Sequence, residues 1–447
     1  MTSSIGTVGM NGKKLKVLLI IEQCNPEWAS VPLEGYSFYE GISRLAETTL
    51  VTHERNQSAL AKAHPDRDIT YIYESNFIKQ YYKIASKLSR IKDKIIWPVH
   101  NTLAYPVYSE FNRLVYAKFK DSILNNHYDI VHALTPMMPR YPVKAVKACK
   151  NTPFILGPVN GGVPFPTGFK AIARQEFANF NFLRTIGRFI IPGYRQTYEK
   201  ADYILAGSTY TLNLINDLFT IENHKIELFY ENGIRDSFLK TEEGWVESHQ
   251  SLEDRKINLL FVGRLVPYKG ADMLIEAVSQ LDLSIQQKIL LTIVGEGSER
   301  KKLEQQVQKL NLGEKVKFTG WVNQQETRQY YSDSDIFCFP SIREFGGAVV
   351  LEAMANGLPC IVVNNGGIGE YVTEETGFKI DPTSRECVIS TLKKSIEQLA
   401  QDQALRQTMS LNAIERAKEF TWSFKTQQIV DRYYKLLGKI SSTGQKL

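Results

Sequence analysis

INLLFVGRLVPYKGADMLIEA, residues 257–277, runs from a short apolar segment ending at Gly263 into a loop with two cations, then into apolar residues at helical spacing. An apolar run of this length, stopped by glycine, reads as a strand buried on both faces. Lys269-Gly270 then opens a helix over about 270–281. Strand, loop and helix in this order form the repeating unit of a parallel sheet with crossover helices.

The same unit recurs on both sides. Strands are expected downstream at KILLTIVG (288–295), KVKFTG (315–320), DIFCFP (335–340) and PCIVV (359–363). Helices are expected at about 298–310, 324–332 and 384–400, with a last one in FKTQQIVDRYYKLLGKI (424–440). Upstream, KVLLII (16–21), TLVTH (49–53), DIVHAL (129–134), PFILG (153–157), DYILAG (202–207) and KIELFY (225–230) read as a second set of strands. The polar stretch KTEEGWVESHQSLEDRK (240–256) separates the sets and reads as a linker. At 447 residues the chain is too long for one ordinary core. The expectation is two doubly wound α/β domains, residues 1–239 and 257–423, with the last helix packing back on the first. Ligands of such sheets sit outside the carboxyl ends of the strands, so a cleft between the domains is the expected site.

Composition narrows the class. The chain is 43% hydrophobic and 23% charged, without low-complexity tracts, as expected of a soluble globular protein. Val17 to Ile21, the longest apolar run near the N-terminus, is far short of a signal-peptide core or a membrane span, so a cytoplasmic location is expected. Five scattered cysteines without C-x-x-C spacing read as reduced and mostly buried, and seven histidines form no recognisable metal cluster. Residues 1–240 hold 29 Lys+Arg against 21 Asp+Glu, whereas 241–447 hold 25 against 27. Much of the basic excess lies in KQYYKIASKLSRIKDKIIWPVHN (Lys79–Asn101), with six basic residues, one acid and apolar residues at spacings of three and four. It reads equally as a basic amphipathic helix for an anionic membrane surface and as a helix packed on its own domain; nucleic acid is disfavoured. FKAIARQEFANFNFLRTIGRFIIPGY (169–194) adds a second aromatic and basic stretch.

The loops after the strands carry the chemistry. Arg264 and Lys269 flank a helix entrance, where two cations suit a diphosphate. GEGSER (295–300) starts like a dinucleotide fingerprint but has Arg300 where the third glycine belongs. In REFGGAVVLEAMANGLPC (343–360), Glu344 precedes the Gly346-Gly347 turn and Glu352 lies one turn into the following helix. Such a turn and helix start favour an anion, while two carboxylates favour hydroxyls. The local expectation is a ligand with a negative centre and hydroxyl-rich ends; the plain alternative is two solvated surface glutamates.

FVGRLVPYKG, IVGEGSERKKLEQ, VKFTGWV, FPSIREFGGAVVLEAMANGLPCIV and NNGGIGEYV, in this order, resemble the C-terminal domain of glycosyltransferase family 4. YDIVHALTP, GPVNGG (157–162), EKADYILAGS and ENGIRDSFL extend the resemblance loosely through the first half. The resemblance implies a GT-B architecture, two Rossmann-like domains facing a central cleft. It implies a retaining, metal-independent enzyme that uses a nucleotide-sugar as substrate, with no resident cofactor. The family's Glu-x7-Glu motif matches Glu344 and Glu352. By that likeness Arg264 and Lys269 hold the diphosphate, Glu352 the ribose and Glu344 the transferred sugar. Gly346, Gly347, Ala348 and Val349 would offer backbone donors, with Gly263 beside them, and Trp321 and Val322 would meet the base.

Acceptor-side candidates are Asn160 and Gly161, in a loop where many relatives place a histidine, with Gly35 and His132. Gly35 lies in EQCNPEWASVPLEGYS (22–37), read as a long loop, and His132 weighs towards a structural role. The expected setting is transfer to a hydroxyl acceptor, lipid-linked or glycan, in cell-surface polysaccharide or glycolipid synthesis, peripheral on the cytoplasmic membrane face. A GT-B epimerase, which would convert donor without acceptor, and a non-catalytic sugar-nucleotide-binding subunit are the alternatives. A glycoside hydrolase could also use two glutamates, but the first half would then lack a purpose.

Overall fold

The computed structural model describes residues 14–91, 94–135, 141–241 and 256–438. The chain divides into two compact units: one takes in residues up to Gly162, Glu176–Glu231 and the chain from Trp422, the other Val163–Gln175 and Asn232–Thr421. Residues 163–175 therefore group with the second unit although they lie in the first half of the sequence. Most of the expected linker, residues 242–255, lies outside the described residues.

The first unit is built on seven strands: β1 (Lys16–Ile21), β2 (Glu47–His53), β3 (Ile69–Ile72), β4 (Ile130–Thr135), β5 (Phe154–Val159), β6 (Tyr203–Ala206) and β7 (Ile226–Leu228). They pair in parallel in the order β3-β2-β1-β4-β5-β6-β7. The second unit has β8 (Ile257–Val262), β9 (Ile289–Val294), β10 (Val316–Gly320), β11 (Ile336–Phe339), β12 (Cys360–Val363) and β13 (Gly377–Ile380), all parallel, in the order β10-β9-β8-β11-β12-β13. In each sheet the order reverses direction beside the first strand, as in a doubly wound fold. The central strands are mostly apolar because both faces are covered; Val17 to Leu19 and Leu259 to Phe261 are wholly buried.

Two expected elements change. The Lys79–Asn101 stretch is not one helix. Its helix is Asn76–Leu88, followed by a two-stranded ribbon (Arg90–Ile91 with Lys94–Ile95) and a second helix, Trp97–Leu103. Pro98 lies at the start of that second helix, where a missing N–H costs nothing, and a single helix could not accommodate it without losing a bond. The long loop expected over 22–37 is also shorter, since a helix begins at Val31 with Pro32 in its first turn.

The C-terminal helix Trp422–Leu436 packs on the Val31–Leu45 helix within the first unit. Its anchor is Lys425, which is buried, donates to the carbonyl of Tyr230 and stands 4.2 Å over the Phe229 ring, near Glu34 and Glu231. Burial pulls its ammonium pKa down to about 7. Lys425→Met keeps the apolar stem but removes the donor. It is expected to cost about 1–3 kcal/mol, the penalty for an orphaned buried acceptor. That corresponds to a fall in melting temperature of about 2–4 °C per kcal/mol. An unchanged calorimetric transition would contradict the anchoring role.

Candidate functional site

Every second-unit candidate lies at the carboxyl end of a parallel strand. After β8, Gly263 runs close to the neighbouring loop: a Cβ on Gly295 would stand 2.0 Å from the Gly263 carbonyl oxygen. The chain then passes through a turn, Pro267–Lys269, to Gly270, whose φ of 73° starts the Ala271–Ser279 helix. Gly270 also lets the turn press on Pro340, whose carbonyl would lie 2.4 Å from an added Cβ. Backbone bonding continues the seam, with the Ile342 N–H donating to the Tyr268 carbonyl at 2.9 Å. The loops after β8 and β11 are thereby laced together.

That lacing brings Lys269 to Glu344. The Lys269 ammonium donates to Oε2 of Glu344, and the Ser341 hydroxyl donates to the same oxygen at 3.2 Å. Both charged side chains are largely shielded, with 12% and 15% exposure, and the ammonium stands 4.9 Å over the Phe339 ring. Arg264 is placed differently: it is exposed, with its guanidinium donating to the Tyr268 hydroxyl at 2.9 Å. Lys269 and Glu344 converge; Arg264 stands at the rim of the same turn.

The helix after Glu344 runs from Ala348 to Ala355 with Gly347 at its N-cap in the left-handed region, φ 76°. It ends in a Schellman motif, the N–H groups of Gly357 and Leu358 donating to the carbonyls of Met354 and Ala353. The two glycines were expected to let a ligand approach the backbone, but the space each leaves is filled by this chain. A Cβ on Gly346 would meet the Asn232 amide at 2.1 Å, and one on Gly347 would meet Ile368 at 2.4 Å. Ala348 and Val349 are half-buried at the helix start. Glu352, one turn in, is half-buried and accepts a 2.9 Å bond from the hydroxyl of wholly buried Tyr331. Burial, then the Glu352 carboxylate, pushes the Tyr331 phenol well above its ordinary range, so the bond keeps its proton on tyrosine. Trp321 is 75% exposed just past β10, with Val322 half-buried beside it. Arg300 is taken up by Glu296 and Glu304, which gives it a structural use.

The first-unit candidates are more enclosed. His132 is fully buried in β4; its Nε2 donates to the Gly157 carbonyl at 2.7 Å and its Nδ1 accepts from the Tyr433 hydroxyl at 2.6 Å. Burial lowers its pKa to about 4, which keeps the ring neutral, and both nitrogens are occupied. That position removes it from contact with an acceptor. Gly35 lies within the Val31–Leu45 helix, and a Cβ there would meet the Gln23 carbonyl at 2.2 Å, so the close approach it permits is to its own chain. Asn160 is buried, its Oδ1 accepting from Gly161 N–H, Ser208 and Thr211 at 2.8, 2.9 and 3.1 Å. It shapes the glycine loop against the start of the Thr209–Leu218 helix.

Sequence reasoning missed Ser341 and Tyr331, which bond Glu344 and Glu352, and Asn232, which fills the space beside Gly346. It also missed a polar cluster at the carboxyl ends of β1 to β3, where Glu74 pairs with Arg55 and stands 2.9 Å from His53, whose pKa burial lowers to about 4. Near it, burial pushes the Glu22 carboxyl up to about 7. Among the described residues, no three His, Cys, Asp or Glu side chains are grouped as metal ligands, and no helix is long and apolar enough to cross a membrane.

Residues 245–416 match the family described as glycosyl transferases group 1, which supports placing the chain among glycosyltransferases. The chain is 28% identical over 247 residues to the uncharacterized glycosyltransferase MJ1607 of Methanocaldococcus jannaschii, covering 54% of this chain and 61% of that one. It is 24% identical over 265 residues to D-inositol 3-phosphate glycosyltransferase of a Nocardioides species, covering 56% and 57%. The chain thus spans about six tenths of the length of these curated relatives. Among solved structures, Anabaena Alr3699/HepE in complex with UDP aligns with a TM-score of 0.59 at 16% identity, over 94% of this chain and all of that one. The paired parallel-sheet architecture is that of GT-B proteins.

Proposed function

We propose that the chain is a retaining glycosyltransferase that moves a sugar from a nucleoside-diphosphate sugar to a hydroxyl acceptor in cell-surface polysaccharide or glycolipid synthesis. The observation that carries this reading is the convergence of Lys269 and Glu344 at the carboxyl ends of β8 and β11, with Glu352 fixed by Tyr331 eight residues on. A structural neighbour crystallised with UDP supports a nucleotide donor.

In the resting site Lys269 neutralises Glu344. With the donor bound, the ammonium turns to the diphosphate, where its charge stabilises the leaving group, and Glu344 accepts from hydroxyls of the transferred sugar. Tyr331 holds one oxygen of Glu352 and so orients the carboxylate proposed to accept from the ribose hydroxyls. Arg264, at the rim, adds a second cation. The bond from the anomeric carbon to the diphosphate oxygen breaks as the acceptor oxygen bonds to that carbon on the same face. The departing phosphate oxygen takes the acceptor's proton. Preorganised cations aimed at the growing negative charge contribute most of the barrier lowering in such a reaction.

Thermal shifts with UDP-, GDP-, ADP- and CDP-sugars test the reading. One donor class is expected to raise the melting temperature, with stabilisation of about 2.7 kcal/mol at a hundred times its Kd. Glu352→Ala is expected to weaken that donor at least tenfold, and Tyr331→Phe by about tenfold through loss of one hydrogen bond to a charged group. A shift of equal size in Glu352→Ala, or none with any sugar nucleotide, would remove the proposal.

A further inference from the structure

The fold brings together two stretches far apart in sequence. Within the first unit the Trp97–Leu103 helix packs on both the Asn76–Leu88 helix and the Phe182–Ile190 helix. The seam is tied by bonds from Ser89 to His100 at 2.9 Å and from the Tyr81 hydroxyl to the Leu103 carbonyl at 2.8 Å. Two of these helices, Asn76–Leu88 and Phe182–Ile190, present stripes of large apolar side chains outward.

The Phe182–Ile190 helix is turned the wrong way round for a surface helix. Phe182, Ile186, Phe189 and Ile190 fall at spacings of four, three and one, a single stripe, and all four are exposed, Phe189 by 82%. Its arginines, like Leu183, are half-buried: Arg184 bonds Asn181, and Arg188 acts on buried Tyr198. The Asn76–Leu88 helix repeats the pattern. Phe77, Ile84 and Leu88, spaced by seven and four, are exposed, while Ile78 and Ala85 face the core. Lys83 and Lys87 flank that exposed stripe, with Arg90 beyond it. None of the three has a carboxylate partner among the described residues. The three helices contain no acidic residue.

We propose that this face docks on the surface of a bilayer that contains anionic lipid. The Phe182–Ile190 stripe enters the boundary of the acyl chains, and Lys83, Lys87 and Arg90 meet the headgroup phosphates. A bilayer offers hydrocarbon beneath fixed negative charge, which complements apolar stripes flanked by unpaired cations. A second copy presenting the same basic face would repel it. Only part of the attraction falls on the Lys79–Asn101 segment; Lys79 itself is paired with Glu54 at 2.9 Å. This inference does not depend on the transferase reading, and the donor experiment and the following one fail separately.

The full chain is floated with vesicles of phosphatidylcholine alone and with added phosphatidylglycerol, at low and high salt. Binding is expected with phosphatidylglycerol at low salt and is expected to weaken as salt rises. Phe189→Glu with Ile190→Glu is expected to reduce it at least tenfold at an unchanged melting temperature, since both side chains are exposed. Lys83→Glu with Lys87→Glu is expected to reduce it by at least about fivefold per residue, the scale for one basic group at an anionic surface. No binding by the wild-type chain at low salt, or wild-type binding by both variants, overturns the proposal. So does concentration-dependent self-association abolished by the Phe189/Ile190 change without vesicle binding, which would make the face an interface between copies.

Discussion

Lys269→Ala is expected to lower turnover with the preferred donor by about 10²–10³-fold, the scale for removing one preorganised donor from a developing negative charge. The figure rests on the position of the ammonium. It is shielded from solvent, held by the turn before Gly270 and already beside the carboxylate proposed to grip the sugar. Arg264→Ala is expected to cost less, about tenfold, because its exposed guanidinium acts through screening water. A rival account makes Lys269 a mere support for Glu344, and a double-mutant cycle separates the two. If the ammonium acts on the diphosphate, Lys269→Ala still lowers turnover by about 10²-fold in a Glu344→Gln background. If it only positions Glu344, the second substitution adds nothing. Turnover within a few fold of wild type in Lys269→Ala would end both accounts.

Much of the fold is legible in the sequence because central parallel strands must be apolar on both faces. Runs such as INLLFVG and KVLLII leave little else they could be. The overlooked strands, Ile69–Ile72 and Gly377–Ile380, are the four-residue edges of their sheets, where ITYI and GFKI carry too few apolar residues to stand out. The Asn76–Leu88 helix shows in the spacing, but its end at Ser89 depends on tertiary contacts such as the bond to His100. Site residues split by the same logic. Glu344 and Glu352 declare themselves because both flank one local turn. Tyr331 and Asn232 serve those positions from 21 and over 100 residues away, so no spacing rule links them to the site. His132 sits in a strand apolar on both sides, which leaves no alternation to reveal that it faces Tyr433 rather than a ligand.

Gly347→Val is expected to abolish transfer, by about 10³-fold or more, while the fold survives. At φ 76° and ψ 58° the backbone is left-handed, which costs an ordinary L-residue roughly 1–2 kcal/mol and a β-branched one more. The added Cβ has nowhere to go: it would stand 2.4 Å from Cγ2 of Ile368 and 2.9 Å from Cγ of Glu344. Ile368 is wholly buried and cannot swing aside, so Glu344 or the start of the Ala348–Ala355 helix must give way. Either movement displaces groups proposed to meet the donor, and a misplacement of about 1 Å is enough to cost about 10²-fold. Gly347→Ala, which adds the same Cβ without the two methyl groups, is expected to cost about 10²-fold. Gly313→Ala serves as the control, since a Cβ there meets nothing within 4 Å and turnover is expected to stay unchanged. The measurement is turnover at saturating donor beside a melting curve. A Gly347→Val enzyme that melts like wild type and turns over within tenfold of it would show that the glycine turn does not set the position of Glu344.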